Sequence, residues 1–357
     1  MNRISFMISI ASTLLLFSCG GGDGSGSSNS LYVVDASSSQ VSLFSVSSDG
    51  SLKSKSSFSV ATGPYAVAFK SDKKFAYLVS SGTNNIQVYS VSSKDGSFTS
   101  SSSAASTGTS PISITIDPSG KFLFVGNSSS TNISAYTIDS SSGALTTVSG
   151  SPYSLAAAPT FLAVTPSGKY LYAAVEDRGV IYAFSIDSST GALTRVPGSP
   201  YNAGIGPASI AISPSEAYLY AGDNLSNRVY GFSIQSGSGI LFSVAGSPFT
   251  AGSNPISLAV SSSSAYLYVA NQTSNNVSAF SVGSGGALTQ LSDSPYSAGN
   301  TPAFVTIASS GKAVYVANHG GNNISEYTVD SSTGKLTAMS GSPVSNGTGP
   351  IWMVATN

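Results

Sequence analysis

The stretch PISLAVSSSSAYLYVANQTSNNVSAFSVGSGGALTQLSDSPYSAGN, residues 255–300, holds one complete copy of a unit that fills most of the chain. It opens at Pro255, runs through apolar segments in which bulky and small residues alternate, and ends near Ser294-Pro295 before Pro302 begins the next copy. Alternation with period two marks half-buried strands. The opening proline recurs at Pro64, Pro111, Pro159, Pro207, Pro255, Pro302 and Pro350, at intervals of 47 or 48 residues. An aromatic marker keeps register with it at Tyr32, Tyr77, Phe124, Tyr172, Tyr220, Tyr268 and Tyr315. A second follows at Phe44, Tyr89, Tyr136, Phe184, Phe232, Phe280 and Tyr327. Each series counts seven.

A period of this size with several short strands per unit is the signature of a β-propeller. Tight turns such as Thr165-Pro166-Ser167-Gly168-Lys169 join the first strand of a unit to its second. Asn-rich loops such as residues 271–276 join the second to the third, and Asp187-Ser188-Ser189-Thr190-Gly191 leads from the third to the fourth. There the Asp side chain can bond backbone N–H groups and Gly tolerates a positive φ. The fourth strand ends at Gly-Ser-Pro, as in Gly198-Ser199-Pro200. The reading is an all-β, seven-bladed β-propeller of four-stranded antiparallel blades over residues 31–357. Leu31-Tyr32-Val33-Val34 is a second-type strand lacking its first, and residues 350–355 form a first-type strand lacking its second. Pairing the two closes the last blade and removes a free edge.

Ahead of the repeats, Arg3 and the apolar run from Ile4 to Phe17 read as a signal peptide, residues 1–18, too short for a membrane span. Leu16-Phe17-Ser18-Cys19-Gly20 resembles a bacterial lipobox. Cys19 is the only cysteine, so an internal disulfide is impossible and lipidation is its expected role. Residues 19–30 follow as a Gly/Ser tether, a flexible coil spanning about 17–20 Å. The chain is therefore expected in the bacterial cell envelope, lipid-anchored to a membrane, with Gly20 after the cysteine favouring the outer one.

Charged residues make up 8% of the chain, 14 basic against 15 acidic, for a net charge of −1. No basic stripe exists for nucleic acid. With 41% apolar residues, 18 Tyr and 16 Phe, the chain can bury a large core as a monomer. One Cys and one His exclude a protein-only zinc site. Each Asp-Ser-Ser-Thr-Gly-type loop offers calcium a single carboxylate. Neither metal nor cofactor is expected.

Residues Tyr266-Leu267-Tyr268-Val269-Ala270-Asn271 and the 187–194 loop resemble the seven-bladed propellers of the 6-phosphogluconolactonase-like lactonase family. They are similar too to bacterial surface repeats with a Tyr-Val-Thr-Asn motif. The resemblance covers residues 31–357 and implies a lactone hydrolase whose inner strands carry Arg and His just after their proline. Here those positions hold Tyr65, Ile112, Thr160, Ala208, Ile256, Ala303 and Ile351, then Ala66, Ser113, Phe161, Ser209, Ser257, Phe304 and Trp352. Neither set contains Arg or His.

The scarce charges fall largely on the rim formed by the second-to-third loops: Asp35, Glu176, Asp177, Arg178, Asp223 and His319, with Arg228 just inside a strand. Together with Trp352 they form the expected ligand or partner surface. Glu176, Asp177 and Arg178 belong to the blade beside that of Asp223 and Arg228, so one interblade groove could gather them. His319 as base and Arg178 as the cation for an oxyanion are the candidate catalytic residues. The bulky Phe161, Phe304 and Trp352 are expected to fill the space between blades, or alternatively to form an aromatic platform at the channel mouth. The functional expectation is a membrane-tethered binding module that presents this rim to a protein or glycan partner. The alternative is a lactonase-like hydrolase of sugar lactones working at the same rim.

Overall fold

Each proline of the repeat begins an inner strand, where its missing N–H costs no ladder bond. The inner strands run Pro64–Phe69, Pro111–Ile116, Pro159–Val164, Pro207–Ile212, Pro255–Val260, Pro302–Ile307 and Pro350–Thr356. The computed structural model describes residues 29–356, leaving aside the side chains of residues 100–103. The expected signal peptide, Cys19 and most of the expected tether lie outside the described residues. From each inner strand a second and third strand follow outward, antiparallel, giving seven separate sheets: a seven-bladed propeller. Blade 1 combines residues 30–59 with 350–356, and blades 2 to 7 follow as residues 64–106, 111–154, 159–202, 207–250, 255–297 and 302–345.

The closure is of mixed origin, as the half-units at the two ends of the repeat require. Ser30–Asp35 pairs antiparallel with Pro350–Thr356, with Tyr32 opposite Val354 and Val34 opposite Trp352. Both Ser30 and Thr356 lie on the rim that carries the first-to-second and third-to-fourth turns, because their strands start and finish there. The second-to-third loops occupy the opposite rim.

The aromatic marker of the second strand holds neighbouring blades together. Tyr77, Tyr172, Tyr220, Tyr268 and Tyr315 are fully buried. Their hydroxyls donate to the turn-glycine carbonyls of the next blade: Gly143, Gly239, Gly286, Gly334 and Gly50. Tyr32 does the same to Gly96 at 2.8 Å. The ring of bonds thus runs through the closure, and only Phe124 lacks the hydroxyl. The turn glycine has two reasons to be glycine. Gly143 has φ of 71°, and a Cβ there would lie 2.6 Å from the Phe75 ring of the preceding blade.

Gly-Ser-Pro does not end the fourth strand; it interrupts it. In blade 4 the strand Leu193–Arg195 stops, the Ser199-Pro200 bond is cis, and Tyr201–Asn202 resumes pairing with the third strand. The serine fills the gap. Ser199 Oγ accepts the Ala183 N–H of the third strand at 2.9 Å, and Ser151, Ser247, Ser294 and Ser342 serve Ala135, Gly231, Ala279 and Glu326 alike. Blades 1 and 2 instead have continuous outer strands, Leu52–Ser59 and Phe98–Ser106.

Candidate functional site

Three residues at the same inner-strand position, Phe161, Phe304 and Trp352, come from blades 4, 7 and 1. Trp352 stacks on Phe161 with centroids 5.5 Å apart and packs at a tilt against Phe304 at 4.6 Å. Its indole N–H donates to the Val67 carbonyl of blade 2 at 3.1 Å. Blades 1 and 4 are not neighbours, so these rings meet on the axis. They fill the channel itself rather than the space between blades, and Trp352 is too buried to be an open platform.

Above this plug lies the rim of second-to-third loops. Tyr65 follows Pro64 at the inner-strand position where the other blades carry Ile, Thr or Ala. Its side chain is 37% exposed although ringed by protein. That enclosure raises its phenol pKa, and the negative charge of Glu176 raises it further. Glu176 opens a single 3-10 turn, Glu176–Arg178, closed by Gly179 in the left-handed region at φ 67°. Asn224 of blade 5 donates its Nδ2 to Glu176 Oε1 at 3.0 Å. The mouth thus gathers a phenol from blade 2, a carboxylate from blade 4 and an amide from blade 5. Beside them Ile205 and Leu225 are the most exposed large apolar side chains among the described residues, at 62% and 61%.

Of the residues expected to share a groove between blades 4 and 5, Glu176 meets Asn224 of blade 5, which lies outside that set. Asp177, Arg178 and Arg228 are exposed, and neither ion pair recorded among the described residues, Lys70–Asp72 and Lys335–Asp293, involves them. His319 is exposed on blade 7, with its Cε1 against Gly349, where a Cβ would come within 3.0 Å. Arg178 sits on blade 4, three positions round the ring.

Asp35 and Asp223 are not rim groups in the sense expected; both are completely buried. Asp223 accepts the backbone N–H groups of Ile205, Leu225 and Ser226 at 2.9, 3.1 and 3.0 Å. Asp35 accepts the Ser42 hydroxyl at 2.5 Å and the Asn346 amide. Burial pushes the Asp35 carboxyl up to about 6, against the lowering effect of those two hydrogen bonds. Both pin the end of a second strand to its surroundings. Neither Tyr65 nor Asn224 belongs to the surface expected from sequence; the signal for Tyr65 is a polar aromatic where its six counterparts are smaller or aliphatic.

Among the described residues no group of three or more His, Cys, Asp or Glu could hold a metal ion, and no helix is long and apolar enough to cross a membrane.

A family model described as lactonase, 7-bladed beta-propeller, matches residues 25–157, 196–301 and 292–350. No curated protein matches. Among solved structures, a Bacteroides fragilis protein provisionally assigned as a 6-phosphogluconolactonase superimposes with a TM-score of 0.83 at 20% identity, over 94% of this chain and 100% of the other. A Bacteroides uniformis counterpart with the same provisional assignment gives 0.82 at 18% identity, over 92% and 100%. The Pseudomonas aeruginosa periplasmic gluconolactonase gives 0.79 at 18% identity, over 92% and 99%. At these identities the likeness is one of fold.

Proposed function

Because this chain belongs to the seven-bladed β-propeller lactonase family, we propose that it binds a sugar lactone at the channel mouth and hydrolyses it there. Glu176 is the general base and the Tyr65 hydroxyl the donor to the developing oxyanion. The observation that carries this reading is the Glu176 carboxylate, fixed by Asn224 at 3.0 Å, with a phenol near enough to feel its charge. Burial and that charge both keep Tyr65 protonated, the form an oxyanion donor needs. In the reaction water adds to the lactone carbonyl carbon while Glu176 takes its proton. The carbonyl electron pair moves onto oxygen, facing Tyr65. Collapse breaks the ring C–O bond, Glu176 returns the proton to the departing ring oxygen, and a hydroxy acid leaves. Lactones are reactive esters, so this modest machinery is sufficient.

Acid release from glucono-δ-lactone and its 6-phosphate, followed by pH-stat, tests the reading. Glu176→Gln should lower kcat by roughly 10²–10⁴-fold. Tyr65→Phe should lower it by about 10²–10³-fold, the usual cost of one oxyanion donor. Wild-type turnover no faster than the spontaneous rate, or unchanged in Glu176→Gln, overturns it.

A second reading, a non-catalytic binding module, is favoured by Ile205 and Leu225, exposed beside the mouth. It predicts saturable binding of a glycan or protein partner, weakened by Leu225→Ser, with no turnover. Either activity would be held at the cell envelope by acylated Cys19. The chain reaches the ring at Ser30, on the rim opposite the mouth, so the mouth would face away from the membrane. Cys19→Ala should then move the protein out of the membrane fraction.

A further inference from the structure

The rim opposite the mouth carries its own cavity, at the foot of the seam between blades 1 and 2, with a volume of about 340 Å³. Its apolar wall is made of Tyr32, Phe69 and Val91, the first two with ring centroids 4.5 Å apart. Lys73 and Lys74 line it too, as do Ser30, which begins the second strand of blade 1, and Thr356, which ends its inner strand. Two acids lie nearby: Asp72, paired with Lys70 at 2.6 Å, and Asp95, whose charge reaches Tyr32 and is faced by Lys55.

The surrounding charge is unlike that of the rest of the molecule. Lys53, Lys55, Lys70, Lys73, Lys74 and Lys94 fall within residues 49–95 against only three aspartates, in a chain whose net charge is −1. The fold collects them at one place. Lys70, Lys73 and Lys74 surround the first-to-second turn of blade 2, and Lys94 lies in its third-to-fourth turn. Lys55 of blade 1 reaches across the seam to the Asp95 carbonyl of blade 2 at 2.6 Å.

We propose that this seam is a docking site for the phosphate-bearing headgroups of an anionic lipid surface, with one headgroup seated in the cavity. The aromatic wall takes the glycerol and first acyl carbons, and Lys73 and Lys74 take the phosphate. A cavity of this size suits one headgroup rather than a whole lipid. The polypeptide joins the ring at this cavity, through Ser30. An anchor preceding Ser30 would therefore bring this face nearest the membrane. The proposal stands on the cavity, the lysines and the position of Ser30; it requires neither lactone turnover nor an acyl group on Cys19.

The test is calorimetric titration of the full-length protein in neutral detergent with dihexanoyl phosphatidylglycerol, dihexanoyl phosphatidylcholine and inorganic phosphate. Phosphatidylglycerol should bind, and raising the salt should weaken it. Each lysine beside an anionic surface contributes about fivefold, so Lys73→Glu/Lys74→Glu should weaken binding roughly 25-fold or more. Lys121→Glu/Lys169→Glu, exposed on the same rim of blades 3 and 4, should leave it unchanged. Near-UV circular dichroism and lactone assays of the same variants separate a folding defect or a failed catalytic reading from this one. Equal affinity for both lipids, an equal loss in the two double variants, or inorganic phosphate binding as tightly as the lipid would overturn the proposal.

Discussion

The residue that ends the second strand is an amide in three blades, Asn127, Asn271 and Asn318, and an acid in blades 1 and 5, Asp35 and Asp223. The amides show what the position is for. Asn127 Nδ2 donates to Asn132 Oδ1 at 2.8 Å and to Ser134 Oγ at 2.9 Å, and Asn271 and Asn318 repeat the pattern. In blade 1 the partners Gln40 and Ser42 stand in the corresponding places, but Asp35 has no proton to donate when ionised. Its folded pKa, about 6, lies above the ordinary 3.8, so the folded state binds the extra proton. Stability should therefore be least above pH 6 and should rise as the pH falls toward 4. The gain is on the order of 3 kcal/mol for a buried group shifted by two units. Asp35→Asn, able to donate to Ser42 and accept from Asn346, should raise Tm at pH 8 and flatten its pH dependence between 4 and 6. Glu326, also raised mainly by burial, will leave a residual slope of the same sign. Melting curves of the variant that keep the wild-type pH dependence would show that Asp35 is not the group responsible. The sequence could count Asp35 and Asp223 as charges near a loop, but not see that strand pairing buries the last residue before it.

In the outer part of each blade the sequence carried a strong repeat whose purpose depends on three dimensions. The prolines, tyrosines and turn glycines could be placed in their strands and turns from spacing alone, although the bond from each tyrosine to a glycine of the next blade is visible only in three dimensions. Gly-Ser-Pro could not, because its serine serves an N–H some 16 residues earlier in the chain, as Ser199 does for Ala183. The strand break leaves that donor without a backbone acceptor, and the hydroxyl replaces the missing carbonyl. Ser199→Ala should therefore cost about 1–3 kcal/mol, the penalty for a buried donor left unpaired, and lower Tm by several degrees. Ser185→Ala on the same third strand removes an exposed hydroxyl whose bond is a long one, 3.3 Å to Thr194 O, and should change Tm little. Equal melting of the two variants would mean water satisfies the Ala183 N–H. The mouth was hidden for a related reason. Tyr65 and Glu176 lie 111 positions apart by number, on blades that are not adjacent, and no local period says which inner-strand side chains face one another across a closed ring.

Closure is a property of the whole molecule, and residues 350–356 serve it twice. As a strand they supply the inner edge of blade 1, pairing with Ser30–Asp35. Through Trp352 they also supply the centre of the plug, touching Phe161 of blade 4, Phe304 of blade 7 and the Val67 carbonyl of blade 2. Loss of a buried Trp side chain alone costs about 3–5 kcal/mol, against a total stability of roughly 5–15 kcal/mol for a natural domain. A chain ending at Gly349 should then lose its cooperative transition in calorimetry and its near-UV circular dichroism. That result alone would not separate the clasp from the plug, since both are removed together. Trp352→Phe separates them: it retains the strand and most of the ring stacking, gives up the bond to Val67, and should melt lower yet still cooperatively. A circular permutant provides the complementary case. Joining residue 356 to residue 30 through a short linker and opening the chain between blades 4 and 5 keeps the plug intact. It leaves the ring closed there only by side-chain packing and by bonds such as Tyr172 to Gly239. Such a permutant should unfold faster than the parent at equal temperature, because no strand pairing spans its break. Equal unfolding rates would place the stability of the ring in its tyrosine bonds and aromatic axis, with the paired termini adding nothing.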